Sequence, residues 1–373
     1  MSGEWEGCLC TFSPGGVPVP LDPFYVPAAF QEWDITLLDW QTQTSTLCAP
    51  GPRWSPADPP PLRHAVKRLM PTVGCEADAV AWEEDILGGG GEGKKAGAAP
   101  LLAEGAATAR GGACLAPASL DAEQTMVRVE HWLTDPDLCG GYPKAEAEGG
   151  PKRTRVVHVL ARDESALGGW TVAAIEVARE TREGPYNGGI ELFACGGGSC
   201  KVSDLPRPDP AALGGDWGCA PPDVGGGAAG ACLAAYGTEV FREDVGRSTP
   251  LSRLSDRALE RHLATPTLTP ANAAEAAASV PDTSSDTFSS WAEADYASTE
   301  GGETCEVVLL PGSVWSLVEA SEDGGLALEA GWLGERGDAR SVSGCVWDNG
   351  QLVAAVAGLE QRLGCELPPC DVP

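Results

Sequence analysis

The strongest constraint on the fold lies near the end of the chain, between Cys305 and Leu363. Turn signals divide this stretch at regular spacing: Pro311-Gly312, Glu322-Asp323-Gly324-Gly325, Gly334 to Asp338, and Asp348-Asn349-Gly350. Asn-Gly and Asp-Gly tolerate the positive φ angles that tight hairpin turns require. Between the turns the residues alternate. Leu326, Leu328 and Ala330 share one face, and Trp315, Leu317 and Glu319 share another, as half-buried strands do. Short alternating runs between such turns predict an antiparallel meander.

The same reading extends upstream. Pro27 suits the first turn of a short helix reaching Trp33. Ile35 to Gln43 alternates as a strand, and Leu62 to Asp85 reads as two strands around Gly74. Thr125 to Leu133, Arg153 to Leu160, Trp170 to Glu180 and Ile190 to Ala194 follow as strands, with another near Tyr236 to Arg242. Leu251 to Leu263 is a charged helical window. Helix content is low, so the predicted class is all-β: two tandem antiparallel β-barrels with few short helices, the barrels closing the sheet edges. The expected boundaries are 1–202 for the first barrel, with a disordered Gly/Ala-rich insertion at 88–112. A Pro/Gly-rich linker at 203–230 follows. The second barrel spans 231–364, with a long loop at 265–302 and a tail at 365–373.

Composition narrows the function classes. Hydrophobic residues make up 43% of 373, enough for sizeable cores. The charge balance is 25 − 54 = −29. Such an acidic chain repels phosphate backbones and anionic membrane surfaces, which argues against nucleic acid and for a basic protein partner. No run of 18 apolar residues exists to span a membrane as a helix. The opening MSGEWEGCLC has no signal or transit-peptide pattern, so an organellar address would have to lie in a presequence absent from this chain.

Candidate chemistry is sparse. Gly88 to Lys95 satisfies Gly-x4-Gly-Lys, but Lys95 stands where a phosphate-binding loop needs Ser or Thr. The 14 cysteines are scattered, without a Cys-x2-Cys pair, and read as mostly buried, reduced thiols. Cys8 and Cys10 share a strand face, while Cys195/Cys200 and Cys365/Cys370 bracket short loops. No metal or other cofactor is expected, and no Ser/His/Asp set stands out. His131 and His158 alternate with Val129, Leu133, Val156 and Leu160 on expected strands. They line a barrel lumen or sit as satisfied core histidines. Twelve tryptophans against six phenylalanines is unusual. Trp5, Trp40, Trp170, Trp315 and Trp332 are candidates for barrel closure or lumen, and Trp132 and Trp347 also fall on or near strands.

Five pieces of the chain resemble one known family: GEWEG (Gly3–Gly7), YVPAAFQEWDITLLDWQTQ (Tyr25–Gln43), LMPTVGCEADA (Leu69–Ala79), RTRVVHVL (Arg153–Leu160) and LLPGSVWSLVE with LEAGWL (Leu309–Leu333). The family is that of the biogenesis factor required for assembly of the chloroplast ATP synthase. The second and third pieces are the most specific. The resemblance implies calycin- or lipocalin-like barrels and residence in the chloroplast stroma. It implies a non-enzymatic role in which the protein holds subunits of the soluble catalytic head, β or γ or both, until they assemble. It carries over no catalytic residue. A calycin-type carrier of a tetrapyrrole or lipid is the alternative, favoured by an open apolar lumen and opposed by a lumen full of large side chains. A bilin-attaching lyase would need an ordered acid–base pair that the sequence does not display.

Overall fold

The computed structural model describes residues 2–48, 62–72, 80–88, 98–102, 112–117, 119–121, 123–138, 151–189, 201–219, 232–234, 252–254, 258–259 and 303–363, with backbone alone at 48, 62, 81–88, 98–102, 138, 219, 232–234 and 303. The chain is all-β, built from two antiparallel sheets.

The first sheet has nine strands: β1 (Gly3–Phe12), β2 (Asp39–Cys48), β3 (Leu62–Leu69), β4 (Val80–Gly88), β5 (Ala98–Leu102), β6 (Ala113–Pro117), β7 (Met126–Thr134), β8 (Lys152–Arg162) and β9 (Trp170–Gly184). Their order is β4-β3-β2-β1-β9-β8-β7-β6-β5. This is an up-and-down ring in which β9 returns to pair with β1, from Glu4↔Gly184 to Phe12↔Ile175. The sheet curls so far that its end strands β4 and β5 approach each other.

The second sheet repeats the plan. Its strands are β10 (Trp217–Cys219), β11 (Cys232–Ala234), β12 (Glu303–Leu310), β13 (Val314–Ser321), β14 (Leu326–Leu333), β15 (Ala339–Asp348) and β16 (Gln351–Arg362). The order is β10-β16-β15-β14-β13-β12, with β11 also on β16. Here too the first strand pairs with the last. The turns are those read from the sequence. Asn349 (φ 48) and Gly350 (φ 74) form the two-residue link from β15 to β16, and two positive φ angles in a row are what a type I′ hairpin demands. Gly331 lies opposite Trp315, where a Cβ would meet the indole at 1.9 Å, so only glycine admits that ring.

The two sheets pack face to face around one apolar core. Phe12, Val129, Leu133, Val156, Leu160, Ile175 and Val177 of the first meet Leu310, Val314, Leu328, Ala330, Trp332, Trp347 and Ala355 of the second. A fully buried aliphatic or aromatic side chain contributes about 1.5–3 kcal/mol. A shared core of this composition therefore binds the halves more firmly than the polar contacts usual between domains. Polar ties cross as well: Arg179 Nη1 donates to Gly312 O at 3.1 Å, and Trp347 Nε1 donates to Pro117 O at 3.0 Å.

Several sequence expectations change. The second sheet opens at Trp217, inside the expected linker 203–230, and α2 (Pro210–Leu213) precedes it, N-capped by Asp209. The reason is Trp217, whose apolar ring is buried against Leu213 and Trp315. Within the expected disordered insertion 88–112, the backbone of Ala98–Leu102 is β5, paired to β6. The expected strand Ile35–Gln43 begins only at Asp39. The short helix α1 (Ala28–Glu32) ends as expected near Trp33, and Asp34 then adopts φ 56, which turns the chain before pairing resumes. Of Leu251–Leu263, Ala258 and Leu259 are helical. The stretches Ile190–Ala194, Tyr236–Arg242, 265–302 and 365–373, and most of Gly88–Lys95, lie outside the described residues.

Candidate functional site

The interior of the first sheet is where a barrel would hold a ligand. Strand alternation aims Trp5, Thr44, Thr46, His64, Glu130, Trp132, Arg153, Arg155 and Glu180 into it, and all are buried. Arg153 Nε reaches Glu180 Oε2 at 2.5 Å, and Arg155 Nε reaches Glu180 Oε1 at 3.0 Å. Arg155 Nη1 reaches Glu130 Oε1 at 2.5 Å. Trp132 Nε1 donates to Glu130 at 2.8 Å, and Thr44 Oγ1 donates to Glu180. His64 Nε2 lies 3.4 Å from Glu130, and its Nδ1 lies 2.9 Å from Thr46 Oγ1. Trp5 stacks on the Arg153 guanidinium, 4.1 Å from ring centroid to Cζ. A second tier holds Glu176 between Arg68 and Arg128, each at 2.8 Å. Trp40, Leu9, Leu21 and Ala178 form a separate buried apolar cluster, with Tyr25 against Trp40.

Electrostatics settle what these groups can do. Burial alone would raise the carboxyl of Glu180, but Arg153 and Arg155 hold it down to about 2. Burial opposes Glu176 likewise, and Arg128 and Arg68 bring it to about 2. Glu130 is driven well below the usual range against its burial by Arg155 and His64. Burial lowers His64. General acid–base work near neutral pH needs a group that titrates there. These carboxylates stay ionised, so the interior is an ion-paired filling.

The second sheet carries the same device with other partners. Arg340 Nε reaches Glu360 Oε2 at 2.6 Å, and its guanidinium lies 4.3 Å from the Trp217 ring and 5.5 Å from Trp315. Glu329 accepts from Ser252 Oγ at 2.5 Å, Arg253 N at 2.6 Å and Trp315 Nε1 at 3.2 Å. Burial still pushes its carboxyl up.

A third cluster sits between the sheets. Cys114 on β6, His131 on β7 and Cys345 on β15 are all buried, and their ligand atoms lie within 4.8 Å of one another. Ser343 Oγ donates to Ala113 O at 2.9 Å and lies 3.1 Å from His131 Nδ1. Next to this, His158 Nε2 pairs with Ser316 Oγ at 2.6 Å, and the two histidine rings stand edge to face at 5.0 Å. Hydrogen-bond donation from Cys345 pulls the Cys114 thiol down to about 5, while burial pushes Cys345 up.

The residues singled out in the sequence divide between these places. Trp5 and Trp40 face the first interior and Trp315 faces the second. His131, His158, Trp170 and Trp332 do not line a lumen: they lie in the contact between the sheets, with Trp170 and Trp332 in its apolar core. The strand period groups a face correctly, but the direction of curl decides which face becomes the lumen. Cys8 and Cys10 share a face as expected, toward the same core. Cys195, Cys200, Cys365 and Cys370 lie outside the described residues. Sequence reasoning missed Arg153, Arg155, Glu130, Glu180, Arg340, Glu329, Glu360, Trp217, Cys114 and Cys345. One signal was present: Gly215-Asp216-Trp217 repeats the Gly3-Glu4-Trp5 opening.

One further surface stands out. Phe24 is 82% exposed, Trp33 58% and Ile35 44%. They lie on the segment between β1 and β2, which Gln31 ties together by donating to Pro23 O at 3.1 Å and Val26 O at 2.9 Å.

The fold and its interiors thus define an all-β protein of two barrel-like meander sheets, each opening on a tryptophan strand that pairs with its last strand. No family model matches the chain, and no curated protein sequence matches it. A solved structure from Nostoc punctiforme, a protein of unknown function from the DUF3598 family, is similar at 13% identity and a TM-score of 0.41, covering 97% of this chain and 96% of its own.

Proposed function

We propose that this chain is a non-enzymatic assembly factor that binds subunits of the soluble catalytic head of the chloroplast ATP synthase in the stroma. The exposed aromatic segment carries this reading. Phe24, Trp33 and Ile35 project large apolar surface from a segment held by its own hydrogen bonds, and exposed anchors on a rigid support are what protein interfaces use. Trp33 and Ile35 belong to Tyr25–Gln43, among the most specific pieces of the family resemblance, and Phe24 adjoins it. The net charge of −29 suits a basic partner surface and speeds encounter with it. The carrier alternative draws no support from a first interior occupied by Arg153, Arg155, Glu130, Glu180 and Trp132.

The test is retention of purified β and γ head subunits on the immobilised chain at moderate salt. Retention is expected, with affinity at least about tenfold weaker for the Phe24→Ala/Trp33→Ala double variant, since hot-spot aromatics contribute upward of about 2 kcal/mol each. If neither subunit is retained by the unmodified chain, the proposal fails.

A further inference from the structure

We propose that Cys114, His131 and Cys345 form a zinc-binding site that clamps the two sheets together. Three strands bring the donors together, two from the first sheet and one from the second, with ligand atoms within 4.8 Å. Two thiolates and an imidazole are a donor set that zinc prefers, in a tetrahedron with a fourth position left over.

The surroundings prepare the histidine for this task. A serine hydroxyl has one proton to give. Ser343 gives it to Ala113 O, so its oxygen accepts from His131 Nδ1–H. With Nδ1 so engaged, Nε2 is the ring nitrogen left to hold a metal. Nε2 is buried and has no hydrogen-bond partner. Leaving such a group unsatisfied costs about 1–3 kcal/mol, and a bound cation would remove the cost. An imidazole whose other nitrogen is anchored through a hydroxyl to a backbone carbonyl is the outer support that metal-bound histidines have. His158 Nδ1 is also buried without a partner, but it does not join the three donors that lie within 4.8 Å of one another, so the fourth position is left open.

Because the ligands come from both sheets, bound metal would stabilise the folded chain over the unfolded one. The test starts from the whole chain purified under reducing conditions, given one equivalent of zinc and dialysed. The expected results are one zinc per chain by elemental analysis, a higher melting temperature that a chelator reverses, and a zinc absorption-edge spectrum with two sulfur neighbours at about 2.3 Å and nitrogen near 2.0 Å. Retention should fall at least tenfold in Cys345→Ser. The unmodified chain decides the matter even where that variant folds poorly. No retained zinc, a shell of four sulfurs, or a Cys114–Cys345 disulfide in protein that binds no zinc would each overturn the proposal.

Discussion

The two interiors are one construction with different charge balances. In the first, two guanidinia, Arg153 and Arg155, face two carboxylates, Glu130 and Glu180, and all three carboxylates of the interior and its second tier stay ionised. In the second, among the described residues, Arg340 alone faces Glu329 and Glu360, and Glu329 is pushed toward its neutral form. A buried charge is tolerable when it is matched and costly when it is not. The first barrel thus holds a balanced lattice, whereas among the described residues the second sets one arginine, between Trp217 and Trp315, against two carboxylates.

The sharpest way to break this comparison is to remove the arginines. Arg340→Leu strips the pair from Glu360 and should cost about 3–5 kcal/mol, the usual effect of breaking a buried pair. Arg153→Leu leaves Arg155 on Glu180 and should cost less, about 1.5–3 kcal/mol for lost charged hydrogen bonds. Equal losses in urea unfolding would show that the charge count does not govern the two sites.

Acid separates them by sign. Glu180 has a folded value of about 2 against an ordinary 4.5. Its contribution is fully present above pH 4.5 and is lost as pH falls toward 2. Glu329 is shifted upward, so its contribution is full below pH 4.5 and is lost as pH rises through its folded value. Glu180→Gln should therefore lower the melting temperature at pH 7 and lose that effect near pH 2. Glu329→Gln should gain melting temperature relative to the unmodified chain as pH rises from 4 to 8, because it lacks the carboxyl whose contribution fades. Melting curves from pH 2 to 8 check both, and a Glu329→Gln difference that does not grow with pH would contradict the assignment.

The smallest expected effect concerns the stacked rings. Trp5→Leu and Trp217→Leu remove a cation–π contact worth about 0.5–2 kcal/mol. Trp217 lies within 5 Å of two guanidinia, Arg340 at 4.3 Å and Arg362 at 4.7 Å, so its loss should be the larger of the two. Matching losses in denaturant midpoints would erase that distinction.

Much of the architecture was legible because local chemistry and tertiary pairing agree. Asn349-Gly350 could only turn, and Leu326, Leu328 and Ala330 had to share a face. The interior ion pairs were not legible. Arg153 and Arg155 alternate with Val156 and His158 in a way that fits a solvated face as well as a filled lumen, and sequence does not tell which way a sheet curls. Cys114 and Cys345 were unreadable for a different reason. They meet only through the packing of one sheet on the other, so no spacing along the chain encodes their encounter.

The return of β9 to β1, and of β16 to β10, has a consequence in time. Each sheet pairs strands that lie at opposite ends of its sequence, and such distant contacts slow folding. During synthesis the GEWEG strand would have to wait, its outer edge unpaired, until Trp170–Gly184 emerges. The ion-paired interior could not form before then, because Glu180 arrives on that last strand. Assembly of the first barrel is therefore gated by its final strand, and the second barrel repeats the wait with Glu360.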